Sequence, residues 1–404
     1  MIKIYINNFK GFPKEVWFIT LVSFINRAGT MIIPFLSRYM IEALHFNYTQ
    51  VGWVMVCFGV GSMIGSWLGG KLTDSLGFYN IMVASLFSTG ILFILLQYVT
   101  SFYGLCIAIF LIMIIADMFR PAMFVSVTTY AGAENRMRAF SLVRLSVNLG
   151  FAGGPALAGL IIASMGYSGL FWVDGLTCII AIVLFLILLP KKEAQKKKEE
   201  TPQEIDTSHS VWKDKIFWIL LSVIFLIALM FFQLFTIMPM YQAVNGWSEK
   251  ATGFYLALNG FLVFLFEMPI VSHSERTKKS KVRMVFMAAI MIMIAYGLLL
   301  LPTQSKWILI AYLLLLSFGE IYSFPTTNAL AYSRAPKGHE GRYMAVYSMA
   351  FSLAHIVGTK LGTTLIQKFG YRGDWIVMFA LSVICVLLIV WLRNSMNREV
   401  KSKN

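Results

Sequence analysis

Eight ionisable side chains stand inside long apolar runs of this chain: Arg27, Asp117, Arg120, Arg144, Asp174, Glu267, Glu320 and Lys360. An ionisable group within twenty or so apolar residues is costly, and it ordinarily faces a cavity or a partner. In a partly dry cavity, desolvation disfavours a carboxylate's charged form and a nearby cation favours it. Such a group can load and release a proton near neutral pH. Asp117 and Glu320 are the first candidates for that chemistry, with Glu267 and His355 behind them. Arg120 lies one turn from Asp117 on the same helical face, so a structural ion pair is the plainer alternative there. Arg27 has two readings, an anchor for an anionic substrate or the countercharge of Asp117. Asp174 stands only about two turns into its run and reads as an outer-rim residue.

Those residues need elements to hold them. The chain has 404 residues, 58% of them hydrophobic and 13% charged, with a mean hydropathy of +0.73. A soluble domain is about 25% charged, so a soluble enzyme is excluded. A bilayer crossing takes about 20 apolar residues. That ruler predicts spans over 16–40, 50–72, 79–99, 103–129, 139–164, 168–189, 215–241, 251–272, 282–302, 306–331, 343–366 and 374–394. The expected architecture is therefore an all-α membrane protein with twelve transmembrane helices. Residues 1–189 form one six-helix bundle, the charged stretch 190–212 a cytoplasmic linker, and 213–404 a second bundle.

The basic residues orient it. The formal charge is +15. With the N-terminus inside, 25 of the 34 Lys and Arg fall in cytoplasmic segments and five outside, namely Arg38, Lys250, Lys306, Lys368 and Arg372. Cytoplasmic loops collect Lys and Arg, so both termini are cytoplasmic, the membrane is the cell (inner) membrane, and the charge calls for no nucleic acid. The acids Glu42, Glu249 and Asp374 also count as outside.

A shift of 204 residues superposes landmarks of the two halves. Pro121 falls on Pro325, Arg138 on Arg342 and Gly154 on Gly358, and Gly166-Tyr167-x-Gly169 falls on Gly370-Tyr371-x-Gly373. Repeated halves are usual in secondary transporters, with the substrate near the midplane. Span 5 carries Gly150, Gly154 and Ala158 every four residues. Span 2 carries Gly61, Gly65 and Gly69. Small residues at that spacing let helices approach closely, and Pro155 favours a kink.

Loop 2–3 reads Gly70-Lys-Leu-Thr-Asp74-Ser-Leu-Gly77-Phe-Tyr. It resembles the G-x-L-x-D-R-x-G-R-K loop of the major facilitator superfamily (MFS), with its three basic positions replaced by Ser75, Phe78 and Tyr79. Gly150-Phe-Ala-Gly-Gly154-Pro155-Ala-Leu-Ala-Gly159 resembles the span-5 motif of that superfamily's drug/proton antiporter branch. Arg120 stands where the family's span-4 arginine does. The resemblance implies two pseudo-symmetric six-helix bundles and a cavity lined by spans 1, 4, 7 and 10. It implies alternating access, with Asp74 gating against the start of span 11 near Arg342. By that resemblance Asn26, Arg27, Arg120, Gln233, Asn259 and Tyr322 face the substrate path, beside the proton candidates. Phe232, Phe235, Tyr255 and Phe324 would suit an amphipathic substrate. The expected activity is proton-coupled export of small amphipathic or drug-like compounds. The alternative is proton-coupled import of a nutrient such as a sugar, organic anion or peptide.

Other chemistry has no foothold. Gly65-Ser-Trp-Leu-Gly-Gly-Lys71-Leu72 lacks the strand and the hydroxyl residue of a phosphate loop. Cys57, Cys106, Cys178 and Cys385 have no metal spacing and read as small buried hydrophobes. Neither enzyme, metal nor cofactor is expected, and the partners are a small-molecule substrate, protons and lipid, with the chain a monomer.

Overall fold

The structure is a computed structural model. It describes residues 12–28, 31–189, 211–276, 280–302, 305–336 and 340–403. Some side chains within those stretches, Asp74, Arg144 and Arg342 among them, lie outside the description, as do linker residues 190–210. The expected gate at Asp74 and the expected linker therefore have no structural account.

The described chain is helical throughout. Its helices are α1 (Lys14–Ala28), α2 (Ile32–Glu42), α3 (Tyr48–Leu76), α4 (Phe78–Leu96), α5 (Phe102–Asp117) and α6 (Phe119–Leu188). They continue with α7 (Lys215–Val244), α8 (Glu249–Arg276), α9 (Lys281–Leu299), α10 (Lys306–Arg334) and α11 (Glu340–Lys403). Nine helical stretches of the described residues are long and apolar enough to cross a membrane. Two of them, Leu145–Leu188 and Val346–Glu399, have 44 and 54 residues, enough for two crossings each. Span 1 is split between α1 and α2, each too short alone. With those readings the twelve expected spans are accounted for.

Local chemistry sets the ends. Asn47 and Gln50 form a reciprocal cap at the start of α3, with bonds of 2.9 and 3.0 Å, which satisfies amides no helical carbonyl can reach. Glu15 in the first turn of α1 and Arg27 in its last complement the helix dipole. Gly77, between α3 and α4, has φ +81°, a conformation only glycine adopts readily. That is the physical reason for the second glycine of the loop 2–3 motif.

The internal repeat is visible in the backbone. Gly166 and Gly370 have φ +70° and +69°, and each turns the chain inside a long helical run. Three residues later the halves match again. A Cβ on Gly169 would sit 2.5 Å from Met165 Cβ. Its counterpart Gly373 stands in the same relation to Phe369.

The chain divides into two compact units. The first is Met1–Lys197 with Gln242–Phe261, and the second is Lys198–Tyr241 with Leu262–Asn404. The end of span 7 and the first half of span 8 thus pack with the N-terminal spans. The core of the first unit gathers Val16, Ile19, Phe78, Met82, Leu142 and Phe185 from four different spans.

Candidate functional site

The first unit holds a small cavity with charged and polar groups set in a largely apolar wall. Asn26 and Arg27 reach it from the end of α1, Asp117 from the end of α5, and Arg120 from the start of α6. Thr89, Phe93 and Cys178 complete the wall. Pro121 has no N–H to offer the Asp117 carbonyl, so the helix breaks at Met118 and presents both charged residues there. The cavity volume is 40 Å³, room for about three waters. The structure thus brings together four sequence candidates from spans 1 and 4.

Their bonding differs from expectation. The Asp117 carboxylate accepts a hydrogen bond from the Ser62 hydroxyl of span 2, a partner that the sequence did not suggest beside its alternatives Arg120 and Arg27. The reason is the close approach of spans 2 and 4. A Cβ on Gly61 would lie 2.5 Å from Phe110 O, and one on Gly69 2.6 Å from Met118 Cα. Gly65 meets Ile114 in the same way. Each rung pairs residues 49 apart, so the two spans run parallel in one register. Cys57 and Cys106, one rung further out, stand within hydrogen-bond reach of each other. Both are half-exposed, not the buried fillers expected. The Arg27 guanidinium stacks on the Phe151 ring with its carbon 5.2 Å from the centroid, a favourable use of the ring's negative face.

Span 1 is broken between Ala28 and Ile32, beside this cavity. The buried N–H groups of Met31 and Ile32, at the start of α2, donate to Asp174 Oδ1 and Oδ2 at 3.0 and 2.7 Å. Asp174 is 0% exposed. It is therefore an interior helix cap and not an outer-rim residue. Depth counted along span 6 could not show this, because its partners lie 143 and 142 residues away.

The other end of α2 carries Arg38. Counted as an outside charge, it is in fact buried. Its guanidinium donates to Glu42 at 2.9 Å, Thr252 Oγ1 at 3.1 Å, the Trp247 carbonyl at 2.8 Å and Glu249 at 3.3 Å. Tyr167 donates to Glu42 at 2.9 Å. This cluster ties α2 to the start of α8. The Arg38/Glu42 spacing of four was its one sequence signal.

Span 5 meets span 8 in the same region, antiparallel. A Cβ on Gly159 would sit 2.5 Å from Glu249 O and 3.0 Å from Lys250 Cα. Gly253 is backed by the Pro155 backbone and Gly260 by Ala152. Gly154 and Pro155 are buried in this seam's helix, and Asn259 is buried on span 8. The sequence singled out one side of the contact and missed Gly253 and Gly260 on the other. Gly70, by contrast, has open space around its Cα.

The second unit holds a different surface. Phe231, Phe232 and Phe235 of α7, Phe324 of α10 and Phe351 of α11 make a chain of edge-to-face contacts with centroids 5.1–5.8 Å apart. His355 lies on Phe232 at 4.3 Å. Glu320 stands one turn from Phe324 on the same face of α10 and is half-buried, as is Tyr322. Gln233, expected on a cavity wall, is buried instead. Its amide donates to the Gly358 carbonyl at 3.0 Å and approaches Met378 Sδ at 3.7 Å. Glycine at 362 leaves room for it, since a Cβ there would lie 2.6 Å from Gln233 Oε1. Glu267 is also buried. Asp374, counted as an outside acid, is 0% exposed and makes no hydrogen bond with the described residues.

At the ends of α10 and α11 the same unit is clamped by charge. Arg334 donates to Asp214 at 2.7 and 3.0 Å and to Glu399 at 3.2 Å. Tyr343 adds a bond of 3.1 Å to Asp214. Burial pushes the Asp214 carboxyl up, but Arg334, the Phe217 amide and Tyr343 outweigh it and hold the group below its ordinary range.

A multi-pass helical chain with a broken first span, charged intramembrane residues around a cavity and a repeated half defines a membrane transporter. The sequence profile of the Major Facilitator Superfamily matches residues 16–359, and the chain belongs to that superfamily of non-enzymatic carriers. It is 24% identical over 388 residues to the uncharacterized MFS-type transporter YttB of Bacillus subtilis (strain 168), covering 93% of each. It is also 24% identical over 347 residues to the inner membrane protein YihN of Escherichia coli (strain K12), covering 83% of this chain and 82% of that one. In fold it resembles a POT family transporter crystallised with a thioalcohol conjugated peptide. That likeness has a TM-score of 0.80 at 16% identity and covers 96% and 97% of the two chains. The protein is therefore a secondary transporter of a small molecule.

Proposed function

We propose that this carrier is a proton-coupled exporter of small amphipathic compounds in the cytoplasmic membrane, with both termini inside. The observation that carries export is the span 5–span 8 seam. There Gly159 of the antiporter-like motif meets the Glu249 backbone, and Gly253 and Gly260 of span 8 meet the backbone of Pro155 and Ala152, a contact that alternating access can open and close. The aromatic chain of the second unit, with Glu320 beside it, supports a substrate with an apolar body and a polar or cationic end. Asp117 and Glu320 carry the proton, and each sits on the helix that is the other's repeat mate.

The test uses inverted vesicles with an imposed pH gradient and a compound panel that includes lipophilic cations. Export predicts collapse of the gradient by the transported compound. Asp117→Asn or Glu320→Gln should abolish the collapse without loss of folded protein. Unchanged collapse in both variants removes these residues from coupling. A second reading has its own support. The first-unit cavity is lined by two arginines against one carboxylate, which favours an anionic substrate group. Movement of an organic anion together with protons, in the same direction, would favour import over export.

A further inference from the structure

We propose that Asp174 is a proton-binding residue whose protonation releases the N-terminus of α2 and so couples the first-unit cavity to the Arg38 cluster. Three features of the structure meet here. The first is the carboxylate itself, wholly buried, whose two oxygens are both occupied by backbone N–H groups of the span 1 break. The amides at such a helix start carry partial positive charge, and a carboxylate accepts from them about twice as strongly as a neutral acid. The second is access. Arg27 before the break, Ile33 after it and Cys178 one turn from Asp174 all line the cavity; Asp174 lies behind that wall, and on this proposal the proton passes to it from cavity water between these residues. The third is the load. The eleven residues of α2 have the cap at one end and, at the other, Arg38 with its bonds to Thr252, Trp247 and Glu249 of the span 7–8 segment.

The step is a simple transfer. A proton from cavity water adds to Oδ1, whose bond to Met31 is the longer of the two. That oxygen becomes a hydroxyl, the Met31 amide loses its acceptor, and Ile32 keeps a weaker bond to the neutral Oδ2. Release of the proton restores both bonds. The charged and titratable groups around the site are few. Cys178 lies along span 6, Arg27 on span 1, and Asp117 and Arg120 on the cavity's span 4 wall. Span 3 presents Thr89, Gly90 and Phe93, none of which titrates. The place of this proton in transport rests on the proton-coupled reading above, whereas its binding to Asp174 does not.

Hydrogen exchange on the full chain in lipid nanodiscs tests it without any substrate. Peptides covering Met31 and Ile32 are followed across about pH 5 to 9, corrected for intrinsic exchange. The expected result is a single step, with protection about tenfold lower on the acid side. Asp174→Asn should abolish the step and fix exchange at the faster rate, while Asp117→Asn should leave it in place. A flat wild-type profile overturns the proposal even if Asp174→Asn does not fold. So does a step that survives in Asp174→Asn or vanishes in Asp117→Asn. Loss of gradient-driven transport with an intact step would instead count against proton-coupled export alone.

Discussion

Alanine at position 159 puts a methyl carbon 2.5 Å from Glu249 O and 3.0 Å from Lys250 Cα. Both are backbone atoms, so no side chain can swing away. Ordinary contact begins near 3.4 Å, so spans 5 and 8 must part by about 1 Å to admit the methyl group, and lose packing as they do. Overpacking of this kind costs about 1–3 kcal/mol. If the seam opens during transport, that cost falls on the closed state alone, and the closed-to-open ratio drops about 5- to 150-fold. Spin labels on the exposed Leu157 of span 5 and Phe254 of span 8 read the ratio as a distance distribution. Gly61→Ala is the control. Its methyl group would also lie 2.5 Å from a backbone oxygen, that of Phe110, but across spans 2 and 4 inside one packed ladder. It should lower thermal stability and leave the 157–254 distribution alone. A Gly159→Ala protein that is less stable but shows the wild-type distribution would refute the idea that this contact moves.

Further outcomes follow from the Asp214–Arg334 clamp and the thiol pair. The Asp214 carboxyl is held below its ordinary range, so its contribution is complete at neutral pH and disappears only as pH falls through the lowered value. Thermal unfolding should therefore be flat near neutrality and decline only in acid, below about pH 4. Arg334→Gln should cost about 1 kcal/mol at pH 7 and shrink that decline, so that variant and wild type converge in acid; an equal gap between them at every pH would mean the clamp does not act through the Asp214 charge. Copper-phenanthroline oxidation should join Cys57 to Cys106, detectable by mass spectrometry. The product should keep the wild-type 157–254 distribution, and an altered one would show that spans 2 and 4 move against each other.

Much of this was legible before the fold was known, and the exceptions share a cause. Span existence and the repeat depend on local composition, and Gly166 and Gly370 carry matching backbone angles as the 204-residue shift requires. The Gly61/Gly65/Gly69 ladder and Gly159 of span 5 also pack as their spacing implies. What composition could not register is a partner far along the chain. Asn26 and Arg27 stand between the apolar residues 16–25 and 31–36, so hydropathy averaged over a whole span reads straight through the break. Asp174 looks like a rim residue until Met31 and Ile32 arrive beside it. Arg38 and Asp374 count as outside charges on a topology map, yet both are buried. Gln233 has the right depth for a cavity wall but is taken up by the Gly358 carbonyl on the neighbouring span. Depth is one coordinate, and the azimuth of a residue around its helix is settled only by tertiary packing.

The ladder between spans 2 and 4 also limits the degrees of freedom of the first unit. Its rungs recur every four residues, so the next equivalent register lies about 6 Å away along the helix axis. Any smaller slide would drive Ser62 or Ser66 side chains into the opposing backbone where now there is only hydrogen. The pair therefore has no continuous sliding mode, and because the two helices run parallel they tilt as one beam. Asp117 and Ser62, on opposite helices of that beam, keep their bond through any rigid motion. Near the cavity span 1 differs from that beam, because its described part is two helices, and the amides of Met31 and Ile32 are bonded to Asp174 of span 6. In mechanical terms the unit is a stiff frame with a single jointed strut.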